Sequence, residues 1–257
     1  TAYMDSIPVV AITGQVQSHL LGRDIFQEVD ITGAVAPFIK HSYLVKDVKQ
    51  IPRIVKEAFH IANTGRKGPV LIDIPIDVQQ ARFEPEFPET VDIRGYKPSV
   101  KGNAVQIKRA VSAIAAAQKP VIVAGGGVVA SGAQPELLEL AERCGIPVVT
   151  TMMGLGLMPT DHPLYMGMIG SFGNAVANRT LAKSDLCILC GARVADRAIL
   201  QPSEIGKRMK IIHLDVDPAE IGKNMSATIP VVGDVKTILG QILELDPTAS
   251  PQEVAEI

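Results

Sequence analysis

Short apolar segments that end in glycine alternate along this chain with longer segments of helical period. The segments "PVVAITG" at residues 8–14 and "PVIVAGGG" at residues 120–127 are examples. Neither alternates regularly between polar and apolar side chains, so neither offers a face to water, which is typical of parallel strands covered on both sides. The alternation therefore predicts an α/β protein in which helices cover both faces of parallel sheets.

Residues 1–82 are predicted to form one such domain, but it is short of strands. Strand patterns occur at residues 8–14, 38–45 and 69–75, and the segment between the last two has a helical period. A buried parallel strand needs neighbours on both edges, which so few strands do not supply. We therefore expect this first domain to be incomplete and the chain, which begins at Thr1 without a methionine, to be truncated.

The composition changes over residues 83–102, where prolines recur and no period is sustained. Because proline lacks a backbone donor and restricts the residue before it, this segment is predicted to be a linker. A second domain is expected over residues 103–246, and residues 247–257 are expected to begin a further linker.

The second domain is predicted to be a complete, doubly wound, Rossmann-like sheet of six strands. Its clearest strand patterns share an apolar run that ends in a small or acidic residue, and they are "PVIVAGGG", "IPVVTT", "DLCILCG", "KIIHLDV" and "TIPVVG". A Gly- and Met-rich loop and then a helix near residues 173–184 separate the second pattern from the third. Asp217, Pro218 and Glu220 have the form of a helix start, and capping is the preferred role for Asp217.

The overall composition argues against several classes of partner. A formal net charge of −2, no tryptophan and 4% aromatic residues provide neither the basic surface nor the stacking rings that nucleic-acid binding uses. No apolar run approaches about 20 residues and no signal peptide is recognisable, so we expect a cytoplasmic protein without a membrane span. Cys187 and Cys190 form C-x-x-C, but residues three apart in a strand face opposite ways, which favours a core role over a redox pair.

The glycine-rich turn after "PVIVA" raises the possibility of a dinucleotide site. Gly125, Gly127 and Ala130 satisfy G-x-G-x-x-A, whose glycines let backbone amides approach a pyrophosphate. The next strand ends in Thr150 and Thr151 instead of an acidic residue, which disfavours ordinary NAD binding. The alternative is that the glycines serve only a tight turn.

Other predicted strand ends also carry groups suited to a ligand. Arg193 and Arg197 can neutralise phosphate, while Asp215 and Asp234 can accept hydrogen bonds from a ribose or a base. Helix capping is the alternative for Asp234. In the first domain, Gln27, Lys40 and Arg66 are candidates to hold a carboxylate substrate. Asp161 and His162 lack a third ligand at metal spacing.

Several longer motifs follow one another along nearly the whole chain, among them "DSIPVVAITGQV", "DIFQEVDI", "GRKGPVLIDIPIDVQQ", "CGARVADR" and "HLDVDPAEIGKN". They resemble motifs of the large, catalytic subunits of acetolactate synthases, which are thiamine-diphosphate enzymes. The resemblance implies that residues 1–82 belong to a domain that binds the thiamine pyrimidine and residues 103–246 to a central FAD-binding domain. The glutamate that activates thiamine would lie before Thr1, and the motif that holds the diphosphate and Mg²⁺ would lie after Ile257.

The same resemblance implies a reaction and partners for the full-length enzyme. Two pyruvates, or pyruvate and 2-ketobutyrate, would condense with loss of CO₂ in branched-chain amino-acid biosynthesis. The cofactors would be FAD, thiamine diphosphate and Mg²⁺, and the FAD would do no net redox work. The enzyme would be a homodimer or homotetramer, with a small regulatory subunit as a further partner. The fragment alone would be inactive.

Particular residues acquire expected roles through this resemblance. Phe26 and Gln27 would lie beside the thiamine ring and substrate, and Lys40 would belong to the catalytic region. Ser6 would belong to a pair of residues that reaches FAD, and Arg66 would lie in the substrate and flavin region. The FAD contacts expected in the central domain share positions at predicted strand ends, and they are Gly126, Thr151, Met152, Ile169, Gly170, Ser171, Phe172, Gly191, Ala192, Arg193, Val194, Ala195, Asp196, Arg197, Asp215, Val216, Asp234 and Val235.

Some positions depart from the family pattern. Ile76 stands where a lysine is usual, and "GSFGN" at residues 170–174 replaces the more frequent "GMHGT". Another thiamine-diphosphate carboligase or decarboxylase is therefore one alternative. A dinucleotide-binding module that acts on its own is the other.

Overall fold

The computed structural model describes residues 1–199 and 201–248, which divide into two compact units. The first unit is Thr1–Lys97, and the second begins at Pro98. The point of division lies within the segment predicted to be a linker. The further linker predicted to begin at residue 247 lies almost wholly outside the described residues.

The first unit contains a parallel sheet of three strands in the order β1-β3-β2. Strand β1 spans Val9–Gln15, β2 spans His41–Leu44 and β3 spans Pro69–Pro75. Strand β2 is shorter than the pattern predicted because Ala36–Phe38 forms a 3₁₀ turn that contains a proline. The carboxyl ends of β1 and β3 lie in register, with Thr13 beside the buried Asp73.

Three helices accompany this sheet: α1 (Ile31–Val35), α2 (Ile51–Asn63) and α3 (Ile76–Gln80). Helix α2 presents buried residues at intervals of three or four, such as Ile54 and Ala58, to the core that also contains Val70 and Ile72 of β3. This small core fixes α2 against the central strand.

In the part of the chain that the structure describes, the second unit has a parallel sheet of six strands in the order β6-β5-β4-β7-β8-β9. The strands are β4 (Pro120–Ala124), β5 (Val148–Thr150), β6 (Tyr165–Met168), β7 (Leu186–Cys190), β8 (Lys210–Asp215) and β9 (Ile229–Val232). The chain order reverses between β4 and β7, so the sheet is doubly wound and has its switch point there.

Helices cover both faces of this sheet. They are α4 (Ala104–Ala116), α5 (Gly126–Ser131), α6 (Gln134–Cys144), α7 (Ala175–Lys183), α8 (Pro202–Arg208) and α9 (Val235–Glu244). Helices α4, α5, α6 and α9 contribute to one apolar core, and α7 and α8 contribute to another. Cys190 belongs to the first core and Cys187 to the second, as the alternation of a strand requires. Burial raises the pKa of both thiols, to about 12 for Cys190.

Two local predictions in this unit were wrong. Strand β6 lies in the segment read as a loop, because its glycine and methionines hide the apolar run of an ordinary strand. No helix begins at Asp217. Its carboxylate instead accepts a hydrogen bond from the amide of Ala219 (2.9 Å) in a turn, so the capping chemistry is present without the helix.

Among the residues that the structure describes, no helix has both the length and the apolar character that crossing a bilayer requires.

Candidate functional site

The switch point of the second unit is formed by close contact of two glycine-bearing turns. The amide of Gly125 donates to the carbonyl of Cys190 (3.0 Å), and the amide of Gly127 donates to that of Gly191 (2.9 Å). A Cβ on Gly125 would lie 2.6 Å from the Cα of Ala192, and one on Gly127 would lie 2.6 Å from the Cα of Gly191. The glycines of the G-x-G-x-x-A motif are therefore required by packing, which is the turn interpretation given above.

The loop after β5 joins the same edge. The amide of Thr151 donates to the carbonyl of Ala124 (3.0 Å), and the 3₁₀ turn Met152–Gly154 follows. Gly126 faces this turn, since a Cβ there would lie 3.0 Å from that of Met153. Met152 is 67% exposed, so its thioether is presented at the edge of the sheet instead of filling the core.

The loop after β6 contains four of the predicted contacts, from Ile169 to Phe172. Ile169 is 3% exposed and packs in the core, whereas Phe172 is 78% exposed. The amide of Ser171 donates to the carbonyl of Arg197 (3.0 Å) in the loop after β7. The loops of β6 and β7 thus meet above the carboxyl ends of β4 and β5.

The loop after β7 carries the predicted contacts from Gly191 to Arg197. The side chains of Ala192 and Val194 are buried, so only their backbone groups can face a ligand. Ala195 and Arg193 are partly exposed, whereas Asp196 and Arg197 are exposed, with 3.8 Å between the Arg197 Nε and the Asp196 carboxylate. Charged groups of both signs therefore lie on the loop that follows β7.

The ends of β8 and β9 complete this edge. The Asp215 carboxylate is 8% exposed and accepts from the amide of Asp217 (2.9 Å), and Val216 follows it. Asp234 caps α9 through the amide of Thr237 (3.0 Å), which is the alternative that sequence left open. Val235 is buried in the core.

Backbone hydrogen bonds link these strand ends in a continuous series. The amide of Gly191 donates to the carbonyl of Leu214, and that of Gly233 to the carbonyl of Asp215. Together with the contacts at Gly125, Thr151 and Ser171, they connect the loops that follow all six strands. We call this edge, formed by residues 125–127, 151–154, 169–173, 191–197, 215–216 and 233–235, the carboxyl rim.

Sequence reasoning missed two carboxamides that hold the carboxyl rim from outside it. The Asn224 side chain donates to the carbonyl of Val194 (2.7 Å), and Asn178 of α7 bonds both backbone groups of Gly170. In the sequence, Asn178 and Asn224 are asparagines in or shortly after a loop, and asparagine is too common there to predict that they bond Gly170 and Val194. Their roles depend on contacts between separate segments.

His213 of β8 is fully buried, and no side chain in the described part of the chain hydrogen-bonds its ring, although the Ala192 backbone lies close enough to favour the protonated form. Burial lowers its pKa to about 4, against an opposing effect of the negative charge of Glu220. The unfolded chain therefore binds more protons than the folded one between about pH 6.5 and pH 4. The stability due to a neutral His213 is complete above pH 6.5 and is lost as the pH falls towards 4.

We expect His213→Leu to flatten this part of the pH profile. Between pH 7 and pH 4.5 the parent should lose about 2 kcal/mol more free energy of unfolding than the variant, since each pKa unit corresponds to roughly 1.4 kcal/mol. Urea titrations at these two pH values measure the difference, and titrations at pH 8 provide the reference for the substitution itself. Parallel profiles would contradict the assignment.

In the first unit, the loop between β1 and α1 contains "FQE". The Glu28 carboxylate accepts from the amides of Gly22, Arg23 (3.2 Å) and Ile25 (3.3 Å), and these bonds, that of Gly22 foremost, lower its pKa. Phe26 is 88% exposed, and Gln27 adopts a left-handed backbone with φ of +63°. The carboxylate therefore closes the loop while the ring and the amide face outwards.

The buried carboxylate of Asp73 holds the two ends of the "FQE" loop through Gln15. Asp73 is 1% exposed and accepts from the Thr13 hydroxyl (2.8 Å) and the Gln15 carboxamide (3.1 Å). The same nitrogen of Gln15 donates to the carbonyl of Val29 (2.7 Å). Asp73 thus connects the core of the sheet to the loop that presents Phe26.

Lys40 has a different environment from the one expected of a catalytic residue. Its ammonium donates to the carbonyls of Ile61 and Thr64 (2.8 Å) at the end of α2 and to the Tyr96 hydroxyl (3.1 Å). A cation at a helix carboxyl end satisfies carbonyls that the helix leaves unpaired. The arrangement favours a structural role for Lys40.

Ser6 and Arg66, both predicted near the cofactor, contact each other. The Arg66 Nε donates to the Ser6 hydroxyl (3.1 Å), and the guanidinium lies 5.9 Å from the ring centre of Tyr3. Within residues 1–199 and 201–248, no group of three or more His, Cys, Asp or Glu side chains is placed to hold a metal ion.

Comparison with known proteins gives consistent matches. The family model of the thiamine pyrophosphate enzyme central domain matches residues 107–242. The chain is 48% identical over 249 residues to an acetolactate synthase of Arthrospira platensis, covering 95% of this chain and 43% of that protein. It is also 48% identical over 256 residues to the acetolactate synthase large subunit of Corynebacterium glutamicum, covering 100% of this chain and 41% of that protein. The chain thus spans about two fifths of the length of these relatives.

A solved structure supports the same relationship. It is described as a thiamin diphosphate-dependent enzyme isolated from Mycobacterium smegmatis, and it superposes with a TM-score of 0.76 at 25% identity. The match covers 95% of this chain and 46% of that one.

Proposed function

The chain belongs to the thiamine pyrophosphate enzyme family, and on that premise we propose that it is part of an acetolactate synthase large subunit. The reaction would condense two pyruvates, or pyruvate and 2-ketobutyrate, with loss of CO₂. The observation that carries this proposal is identity near 48% along at least 95% of the chain to proteins named acetolactate synthase.

The carboxyl rim fits FAD as its ligand. A dinucleotide is long, and the rim offers a continuous row of glycine-bearing turns, with Arg193 and Arg197 for the phosphates and Asp215 for a ribose or base. Exposed Met152 and Phe172 provide apolar surface for a flat ring. Residues whose side chains are buried, such as Ala192 and Val235, would contribute backbone groups only.

The first unit would contribute to the keto-acid site. Thiamine diphosphate, when bound with Mg²⁺, supplies the nucleophilic carbon for decarboxylation of a 2-keto acid. Phe26, held outwards by the loop that Glu28 closes, would exclude water from the reacting groups. Gln27 would donate a hydrogen bond to the substrate, and its left-handed backbone supports this because such strain concentrates at functional sites.

The environment of Lys40 supports a change from the role expected by resemblance. We propose that Lys40 fixes the end of α2 and Tyr96, and that Arg66 with Ser6 supplies the cofactor contacts of the first unit. A homo-oligomer, a small regulatory subunit and a cytoplasmic location remain proposals for the whole protein.

Activity of the complete protein that contains this chain tests the proposal. With thiamine diphosphate, Mg²⁺, FAD and pyruvate, it should form acetolactate, whereas residues 1–257 alone should not. A complete protein that decarboxylates pyruvate without forming acetolactate, or that purifies without flavin absorbance, would favour the alternative of another thiamine-diphosphate enzyme. Ile76, 38% exposed where the family usually has lysine, is the observation that keeps this alternative open.

Substitution of Gln27 tests the assigned role directly. In the complete protein, Gln27→Ala should lower kcat about 100-fold, the usual effect of losing one hydrogen-bond donor at a reacting centre. Flavin content should stay the same. Gln118→Ala, which removes an exposed carboxamide in the second unit, is the matched control and should leave kcat unaltered. Equal kcat values for the two variants would remove Gln27 from the site.

A further inference from the structure

The segment from Met168 to Asn174 forms a closed loop with little freedom of its own. The amide of Asn174 donates to the carbonyl of Met168 (2.9 Å), and the amide of Gly173 donates to that of Gly170 (3.0 Å). Gly170 has a φ of +106°, and a Cβ there would overlap the carbonyl of Arg197. Only glycine can occupy this point, so the position of the loop depends on what holds the Gly170 backbone.

Asn178 holds that backbone from both sides. Its side-chain oxygen accepts from the amide of Gly170 (3.0 Å), and its side-chain nitrogen donates to the carbonyl of the same residue (3.1 Å). The two partners have opposite polarity, which fixes the orientation of the carboxamide. Asn178 lies in α7, which packs against the core through Ala177 and Leu181. Its two hydrogen bonds therefore attach the loop to a helix that the core holds in place.

The loop in turn fixes a second loop of the carboxyl rim. The amide of Ser171, next to Gly170, donates to the carbonyl of Arg197 (3.0 Å). Displacement of Gly170 would therefore also affect the segment that carries the two rim arginines, Arg193 and Arg197. No contact with a ligand is needed for this effect.

We propose that Asn178 is a positioning residue, which sets the geometry of the β6 and β7 loops for binding of the dinucleotide. This inference rests on the proposed function of the carboxyl rim as an FAD site. Asn178 acts through backbone groups, so its contribution to affinity comes from the fixed placement of residues 169–173 and 191–197. Residues that orient the direct ligands of a metal typically change its affinity by 10- to 100-fold, and we expect a comparable effect on the dinucleotide here.

FAD binding by residues 1–257 and by two variants provides the first arm of the test. Asn178→Ala removes both hydrogen bonds, and Asn178→Asp keeps the size and the acceptor but sets a carboxylate oxygen against the carbonyl of Gly170. Both should raise the Kd for FAD, measured by quenching of flavin fluorescence, at least tenfold. Unaltered Kd values in both variants would overturn the proposal.

Asn103→Ala is the matched control. Asn103 is also an asparagine that bonds backbone, since it caps α4 through the amides of Val105 (3.0 Å) and Gln106 (3.3 Å), outside the β6 and β7 loops. It should lower Tm without changing the Kd for FAD. Equal weakening of FAD binding in this control would show that general stability, and not positioning, decides the affinity.

Amide hydrogen exchange provides a second arm that does not depend on FAD. Residues 168–174 should exchange faster in Asn178→Ala than in Asn103→Ala or the parent, while β4 and β7 keep their protection. If the parent fails to bind FAD, the assignment of the carboxyl rim as an FAD site fails for this chain, and the exchange data still decide whether Asn178 positions the loop. Unchanged exchange at residues 168–174 would refute that role.

Discussion

Gly125→Ala should lower the free energy of unfolding of the second unit by about 3 kcal/mol or more, an unusually large effect for one methyl group. The backbone of Gly125, with φ of −114° and ψ of −172°, is open to any residue, so conformation is not the reason. The added Cβ would lie 2.6 Å from the Cα of Ala192 and closer still to the carbonyl of Gly191. Backbone atoms cannot rotate away, so the turns after β4 and β7 must separate.

Urea unfolding measures this effect, and a second glycine provides its control. Gly240 lies within α9, and a Cβ added there would meet nothing within 4 Å. Gly240→Ala should therefore stabilise the unit by up to about 1 kcal/mol, because alanine has the higher helix propensity. A Gly125→Ala protein as stable as the parent would show that the two turns do not touch. A parallel loss of FAD binding would connect the switch point to the proposed ligand.

Asp73→Ala should destabilise the first unit by about 3 kcal/mol, because it empties a fully buried position and removes the carboxylate that accepts from two partly buried donors. The donors are the Thr13 hydroxyl and the Gln15 carboxamide, both at the carboxyl end of β1. Loss of Asp73 also frees Gln15, which otherwise donates to the carbonyl of Val29. We expect faster hydrogen exchange in residues 21–30 in addition to the lower stability.

Tyrosine fluorescence during urea unfolding reports mainly on this unit, since three of the four tyrosines, Tyr3, Tyr43 and Tyr96, belong to it and the chain has no tryptophan. Tyr165→Phe in every protein compared removes the contribution of the second unit. Asp92→Ala, which removes an exposed carboxylate of the same unit, is the control and should change stability by less than about 0.5 kcal/mol. Asp73→Asn should fall between the two, because it keeps one acceptor. Equal midpoints for Asp73→Ala and Asp92→Ala would contradict the network.

The glycine motif shows what a local sequence pattern can predict and what it cannot. Its spacing predicted a tight turn after β4 and left open whether the glycines serve a ligand or only the turn. The structure identifies their partner as the Gly191 turn, more than 60 residues away. A contact of that range leaves no signal in a single local pattern, so the role of Gly125 and Gly127 could not be decided from the motif.

For the "FQE" segment and Lys40, the resemblance to a known family left a different question open. It indicated which residues stand near the proposed reaction, but it did not separate those that face outwards from those that hold the loop. Glu28 bonds three amides of its own loop, whereas Phe26, two residues before it in the sequence, is exposed. Lys40 bonds the end of α2.

The amino-acid sequence by itself determined the α/β class and most of the strands, because burial on both faces of a parallel sheet leaves continuous apolar runs that can be read locally. It also determined that the polar and glycine-rich segments follow strands. Only the tertiary structure decided the strand order, the existence of β6, and which side chains support the carboxyl rim. These depend on pairings such as Asp73 with Thr13 and Asn178 with Gly170, whose geometry exists only after distant strands and helices have packed.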